Sequence, residues 1–389
     1  MRDFPHHIDV PLAVSHTFKL LLVRGGLLLA TLWEGGGRTH VSEGSDSLSA
    51  RITIADLARE AHVSVSTIDR ILSGRGRVKP ATVSHVLATA ERIGFHAVGS
   101  IRSRRDTAVP VRTLGFLLND RARQFYQALA HQITRDVASQ TGIQGRAVFS
   151  HVADLDPART AEALLALGEK CDAIAAVCID HPKVNMAIEE LAARGVPVLA
   201  MLSDISSARR RGFIGSNDWQ LGRSAGWFAR GLCPKGGKVA LVPGSARYVC
   251  QQSMAAAFRA FMSELSVPHF TIVEAPPTQE SDARAEQVVT ALLRDHPDLS
   301  ALFLTGGGLA GAARALRARS GPTVLIGNEL TEETRGLLIG GEIDMILAHP
   351  AERIARETVR ALVALLDEGD SPMPVQKVLP FDVLIGENC

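Results

Sequence analysis

The residues with the most chemical potential fall into two groups. In the first group, Ser66, Thr67 and Arg70 share the polar faces of one short helical stretch that also carries Ile68, Ile71 and Leu72 at helical spacing. Hydroxyls and a guanidinium on one face of a helix of about three turns can hydrogen-bond base edges and phosphates in a DNA major groove. The second group is Gly306-Gly307-Gly308-Leu309-Ala310-Gly311, which fits G-x-G-x-x-G after an apolar run, with Glu329 about 20 residues on. That spacing would suit a dinucleotide. However, the motif comes late in the chain, after several strand–helix units, and no Cys–His or Ser–His–Asp set accompanies it. An NAD-dependent dehydrogenase is therefore a weaker reading, and the glycines would serve equally to let a turn pass close to a ligand. The five cysteines, Cys171, Cys178, Cys233, Cys250 and Cys389, contain no C-x-x-C pair. This argues against a zinc site or a disulfide framework and fits a reducing compartment.

These groups must be positioned by a chain of 389 residues, which is too long for one core. Apolar residues make up 46% and charged residues 21%, the mix of an ordinary soluble globular protein. The net charge is only +1, so any nucleic-acid surface must be local. It is local here. From Arg51 to Arg105 ten Arg and Lys face four Asp and Glu, an excess of +6, which leaves the remainder slightly acidic. Phe18–Trp33 is apolar but is interrupted by Lys19 and Arg24, and it is too short and too charged for a membrane span. No small-residue cleavage site follows it, so a signal peptide is not expected. Residues 1–50 are expected to be a dispensable extension or the product of an over-assigned start codon.

Within the basic segment, Thr53-Ile54-Ala55-Asp56 reads as a capping box opening a first helix, and Ser64 as the cap of a second. Two short helices with a three-residue break make a helix-turn-helix. Gly74–Lys79 reads as a loop and Pro80 as the start of a third helix, with Val83, Val86, Leu87, Ala90 and Ile93 on its buried stripe. Beyond the linker Asp106–Arg112, short apolar runs alternate with helical patterns. The expected strands are Thr113–Leu118, Ala173–Ile179, Val196–Leu202, Lys238–Pro243, Ala301–Thr305, Thr323–Gly327 and Ile343–Ala348. This alternation implies parallel sheets with helices on both faces, and the length implies two lobes.

The run TIADLAREAHVSVSTIDRILSGRGRVKPATVSHVLATAERIGF resembles the headpiece of the lactose-repressor (LacI) family over its whole length. The segments LGFLL, FYQALA, GVPV, GKVALVPGS and IGNELTEETRGLL resemble, in order, that family's sugar-binding domain and the related periplasmic ribose-binding proteins. The resemblance implies an all-α helix-turn-helix headpiece (51–96), a hinge (97–112) and a two-lobed α/β periplasmic-binding-protein-like domain (113–386). It also implies a cytoplasmic, non-enzymatic repressor that binds operator DNA as a homodimer and is released by a sugar, polyol or sugar acid, with no cofactor. A free-standing sugar-binding protein is the alternative, disfavoured by the fused basic headpiece.

By position, Val65, Ser66 and Arg70 match base-reading residues, and Thr53, Ser64, Thr67 and Thr82 match positions near phosphates. The hinge departs from the family pattern: Arg104 stands where a leucine usually wedges into the minor groove, so Arg102 and Arg104 are expected at phosphates or in a narrow minor groove instead. In the larger domain Phe125 and Tyr126 match a pair that stacks on a sugar ring, with Arg123 ahead of them as a polar contact. Asp180, Gln252, Glu329 and His349 match further cleft positions. For Asp180 and Glu329 a role as helix N-cap is an alternative.

Overall fold

The computed structural model describes residues 52–73, 78–102, 109–267, 269–318, 321–368 and 374–389. The extension at 1–50, the loop at 74–77 and Arg104 lie outside the described residues. In the headpiece, helix α1 (Ile54–Glu60) begins at Thr53, whose hydroxyl accepts from the Asp56 backbone N–H at 3.2 Å while Asp56 accepts from the Thr53 N–H at 3.1 Å. His62 takes a left-handed conformation (φ 51°) to turn the chain. Ser64 Oγ then accepts from the Thr67 N–H at 3.2 Å and opens α2 (Val65–Ser73). Helix α3 (Pro80–Ile93) stops at Gly94, where φ of 73° favours glycine. Leu57, Ile68, Ile71, Val86, Leu87 and Ala90 are buried together between the three helices. Residues 98–102 are helical as well, and Ile101 is fully buried in this same core.

The rest of the chain forms two lobes. The first holds β1 (Val111–Leu118), α4 (Gln124–Ala138), β2 (Gln144–His151), α5 (Pro157–Gly168), β3 (Ala173–Ala176), α6 (Pro182–Ala193), β4 (Val198–Met201) and β5 (Gly212–Ser216). The chain then crosses into the second lobe. That lobe holds α7 (Asp218–Leu232), β6 (Gly237–Val242), α8 (Val249–Ser263), β7 (Phe270–Glu274), α9 (Asp282–Asp295), β8 (Leu299–Leu304), α10 (Leu309–Arg317), β9 (Val324–Gly327), α11 (Glu332–Ile339) and β10 (Met345–Ala348). It crosses back at His349–Pro350 for α12 (Ala351–Glu368) and β11 (Val375–Leu379). A third crossing reaches β12 (Asp382–Leu384). The first sheet runs β11-β5-β4-β3-β1-β2, all parallel; the second runs β12-β10-β9-β8-β6-β7, parallel except that β12 opposes β10.

Strands covered by helices on both faces must be apolar throughout. β3 and β4 are buried at every residue, which is why their apolar runs are plain in the sequence. The edge strands β2, β11 and β12 are half-exposed and mix polar with apolar residues, and none of them was among the expected strands. β5 and β7 were also not expected. β5 is buried but has only five residues, two of them glycine. The strand expected at Ala173–Ile179 ends at Ala176, and buried but irregular chain carries Val177–Ile179 on toward the other lobe. In each sheet the strand order reverses beside the first strand of its lobe, β1 or β6. A crevice therefore opens at the strand C-termini, where doubly wound sheets receive ligands. No described helix is long and apolar enough to cross a membrane.

Candidate functional site

Between the lobes lies a cavity that opens to solvent. Its apolar wall is built from Phe125, Tyr126, Val177, Leu202, Tyr248 and Cys250. Phe125 and Tyr126 begin α4 and meet edge to face, with centroids 5.2 Å apart. Phe125 is half-exposed to the cavity while Tyr126 is buried. One aromatic face is thus presented to a ligand and the other ring braces it.

Arg123 is the centre of the polar wall. It comes from the first lobe, directly ahead of α4, and reaches across to two carboxylates of the second. Nη1 donates to Glu280 Oε2 at 2.8 Å, and Nη2 donates to Glu329 Oε2. All three side chains are nearly dry, with exposures of 16%, 8% and 14% for Arg123, Glu280 and Glu329. Glu280 is gripped further: Oε1 accepts from Gln251 Nε2 at 2.6 Å and Oε2 accepts from the Gly307 N–H at 2.9 Å. A Cβ on Gly244 would stand 2.0 Å from Glu280 Oε1, and one on Gly307 would stand 2.1 Å from Arg123 Nη2. Gly306 and Gly307 after β8, with Gly244 after β6, therefore leave the space these side chains occupy. The place where a dinucleotide pyrophosphate would approach is filled by an ion pair, which counts against the dehydrogenase reading.

Burial pushes the Glu329 carboxyl up, and the Arg123 charge pulls it part of the way back. Glu329 does not cap α11. Thr331 does, in a reciprocal capping box with Thr334. His349, on the second crossing, shares a hydrogen bond of 3.1 Å between Nδ1 and Ser216 Oγ on the first. Burial lowers its pKa to about 4, so it is neutral near pH 7. Arg123, Phe125, Tyr126, Glu329 and His349 all line the cavity.

Two expected residues do not line it. Asp180 accepts from the Ser206 N–H at 3.1 Å and from Ser206 Oγ at 2.9 Å, so its carboxylate organises the neighbouring loop. It does not cap α6 either, because His181 does. Gln252 donates to the Ala246 carbonyl at the exposed end of α8. Its neighbour Gln251 is the buried one and reaches Glu280, because successive helical residues point about 100° apart. Glu280 itself carries no marker in the sequence. Gln279 and Glu280 both take left-handed backbone, φ 52° and 63°, without a glycine to announce it. The segment is tied down by Thr278 and Gln279 N–H groups donating to Pro243 and Gly244 carbonyls, both at 2.8 Å.

Several further bonds fasten the lobes. Asn119 Nδ2 donates to Tyr248 Oη at 2.8 Å, and the Asp180 N–H donates to the Arg247 carbonyl at 2.9 Å. Arg247 Nη1 donates to the Leu155 carbonyl at 2.9 Å. The lobes are therefore closed on each other.

On the headpiece, Val65 (52% exposed), Ser66 and Arg70 project from α2 into solvent. Ser64 Oγ shares hydrogen bonds with Ser66 Oγ at 2.9 Å and Thr67 Oγ1 at 2.8 Å, and Arg70 Nε donates to the Ser66 carbonyl at 3.2 Å. Small hydroxyls, one apolar surface and a guanidinium thus lie together at the start of the helix. Thr53 Oγ1 is engaged with Asp56 at 2.6 Å, and Thr82 is half-buried in the first turn of α3. Arg102 pairs with Glu91 at 2.5 Å, which draws it toward α3.

Residues 53–97 match the family described as bacterial regulatory proteins, lacI family. Residues 114–371, about two thirds of the chain, match the periplasmic binding protein domain. The maltose regulon regulatory protein MalI of Escherichia coli is 27% identical over 266 residues, 65% of this chain and 71% of that protein. Catabolite control protein A of Priestia megaterium is 40% identical over 91 residues, 23% of this chain; the match spans about a quarter (26%) of that relative. Among solved structures, a solute-binding protein of Burkholderia graminis in complex with D-arabinose has a TM-score of 0.65 at 20% identity, covering 72% of this chain and 97% of that one. One from Agrobacterium vitis bound with α-D-tagatopyranose also scores 0.65, at 18% identity, covering 71% of this chain and 95% of that one. A fused helix-turn-helix that matches the lacI family of bacterial regulatory proteins distinguishes this chain from a free-standing binding protein, and its larger part belongs to the periplasmic binding protein domain family.

Proposed function

We propose that the protein is a sugar-responsive transcriptional repressor that binds operator DNA through α2 and takes its effector in the interlobe cavity. The observation that carries this reading is the Arg123 bridge. One guanidinium from the first lobe is held by two carboxylates of the second, in a chain that also bears a helix-turn-helix. A ligand that enters this cavity must share hydrogen bonds with the groups that fasten the lobes. Its affinity for the two lobe arrangements then differs, and a differential affinity is what shifts a population between DNA-competent and DNA-incompetent states.

Phe125 supplies the face on which a sugar ring stacks, and Arg123, Gln251, Asn328 and Glu329 supply donors and acceptors for hydroxyls. At the DNA, Ser66 and Arg70 read base edges, Val65 meets a thymine methyl, and Thr53, Ser64, Thr67 and Thr82 lie near phosphates. The protein acts as a homodimer in the cytoplasm. One recognition helix buries too little for tight binding, and two half-sites one helical turn apart need a two-fold axis.

A thermal-shift screen of the full chain against sugars and polyols tests the effector half, since a specific ligand raises the melting temperature by mass action. Selection from random duplexes tests the DNA half, with a two-fold symmetric sequence as the expected product. Failure to enrich any sequence would remove the regulator reading.

A further inference from the structure

We propose that the effector is a polyhydroxy compound carrying a protonated amine, an amino sugar or amino polyol, and that Glu329 is its counter-ion. The inference rests on the sugar-binding reading and narrows it.

Charge balance is the first ground. The ionisable side chains of the cavity are Arg123, Glu280, Glu329, His349, the two tyrosines and Cys250. Burial keeps His349 neutral and raises both tyrosines and Cys250, so these four are uncharged near pH 7. One guanidinium then faces two carboxyl groups in a nearly dry site; burial pushes Glu329 up, and when it is ionised the site holds one negative charge in excess. A buried charge without a partner is costly, and a ligand bearing one positive charge would neutralise it.

The second ground is acceptor capacity. Glu280 takes three donors: Arg123, Gln251 and the Gly307 N–H. Glu329 takes one among the described residues, Arg123. An ionised carboxylate offers about four lone-pair sites, so Glu329 has room for an ammonium. The Arg123 charge, in contrast, is already shared between both carboxylates, so its pull on an acidic ligand is reduced.

Thirdly, the outer recess that leads to the cavity is lined by Asp120, Asp282 and Glu333 besides the two cavity carboxylates, with Arg123 its one lining cation among the described residues. Arg314 lies 3.4 Å from Glu333 and offsets part of that charge. A mouth of this sign concentrates cations and repels anions.

The last ground points to a ligand independently of charge. Thr305 is fully buried and lines the cavity, and its Oγ1 has no hydrogen-bond partner among the described residues. A ligand hydroxyl would satisfy it.

The test is isothermal titration of the full chain at pH 7 with matched series. One comprises hexoses, their 2-amino-2-deoxy counterparts and their uronic acids. The other comprises alditols, amino-alditols and aldonates. Ammonium chloride at equal ionic strength sets the baseline. The amine member of the best-binding series should bind about tenfold or more tighter than its neutral parent, with the acid weakest, as a charge-assisted hydrogen bond requires. In Glu329→Gln the amine and the neutral parent should become equal. A neutral or acidic member binding tightest, or an amine preference that survives Glu329→Gln, would overturn the inference while leaving the sugar-binding reading in place. If no member of either series binds, both fall together.

Discussion

Replacing Arg123 with Met should loosen the two lobes more than any other single change in the cleft. Met keeps much of the stem that packs beside Tyr126, where the guanidinium carbon sits 5.4 Å from the ring centroid. What is lost is the charge. Glu280 and Glu329, 8% and 14% exposed, would then face each other with no cation between them. Removing one partner of a buried pair costs about 3–5 kcal/mol. The site opens to solvent on one side, which places this one near the lower figure. At roughly 2–4 °C per kcal/mol for a domain of this size, the melting temperature should fall by about 6–12 °C. Calorimetry of the full chain measures this, and small-angle scattering reports whether the lobes swing apart. The triple variant Arg123→Met, Glu280→Gln, Glu329→Gln should recover most of the loss, because neutral amides can bond to one another across the gap. A single variant that melts within about a degree of the native protein, with unchanged scattering, would show that the ion pair does not hold the lobes.

Arg70→Ala should weaken operator binding by about 1–3 kcal/mol and relax specificity if Arg70 makes a bidentate base contact, as fluorescence anisotropy on operator and random duplexes will read. Glu329→Gln should lower effector affinity roughly ten- to a hundredfold, as loss of a charged acceptor implies, read by isothermal titration. It should not behave as a lost helix cap, because Thr331 fills that role. Asp218 has a buried Oδ1 with no hydrogen-bond partner among the described residues, and burial, aided by the nearby Asp204 charge, raises its pKa to about 7. The unfolded chain ionises it near 3.8 whereas the folded chain holds the proton until about 7. Stability should therefore fall as pH rises between those values and level off above, and melting curves of Asp218→Asn should lack that slope. Sedimentation should show a dimer at micromolar concentration; monomer alone, with and without DNA, would refute the two-fold account.

The headpiece was legible because its determinants are local. Thr53 with Asp56, Ser64 ahead of α2 and Pro80 at the start of α3 each announce a helix start within a few residues of it. Central strands were legible for a similar reason, since burial on both faces forces an apolar run such as Val198–Met201. Edge strands such as Gln144–His151 carry no such run, and their pairing is decided by distant neighbours. In the cleft, position relative to the family pattern reached Arg123, Phe125, Glu329 and His349. It missed Glu280, which two left-handed residues swing into the site. It also chose Gln252 over Gln251, where one residue is the difference between solvent and cavity. Nor did it foresee that Arg123 would bind this chain's own carboxylates. That pairing depends on how the lobes meet, across 157 and 206 residues of sequence.

The proposed function requires effector and operator affinities to be coupled in one molecule. The most direct measurement is fluorescence anisotropy of the full chain on its selected operator duplex, titrated with the ligand that raises its melting temperature. Binding should be tight without ligand, and operator affinity should fall about fivefold to 150-fold when the cavity is saturated, the range that couplings between sites span. Operator affinity that stays the same while calorimetry shows the cavity filled would contradict that coupling.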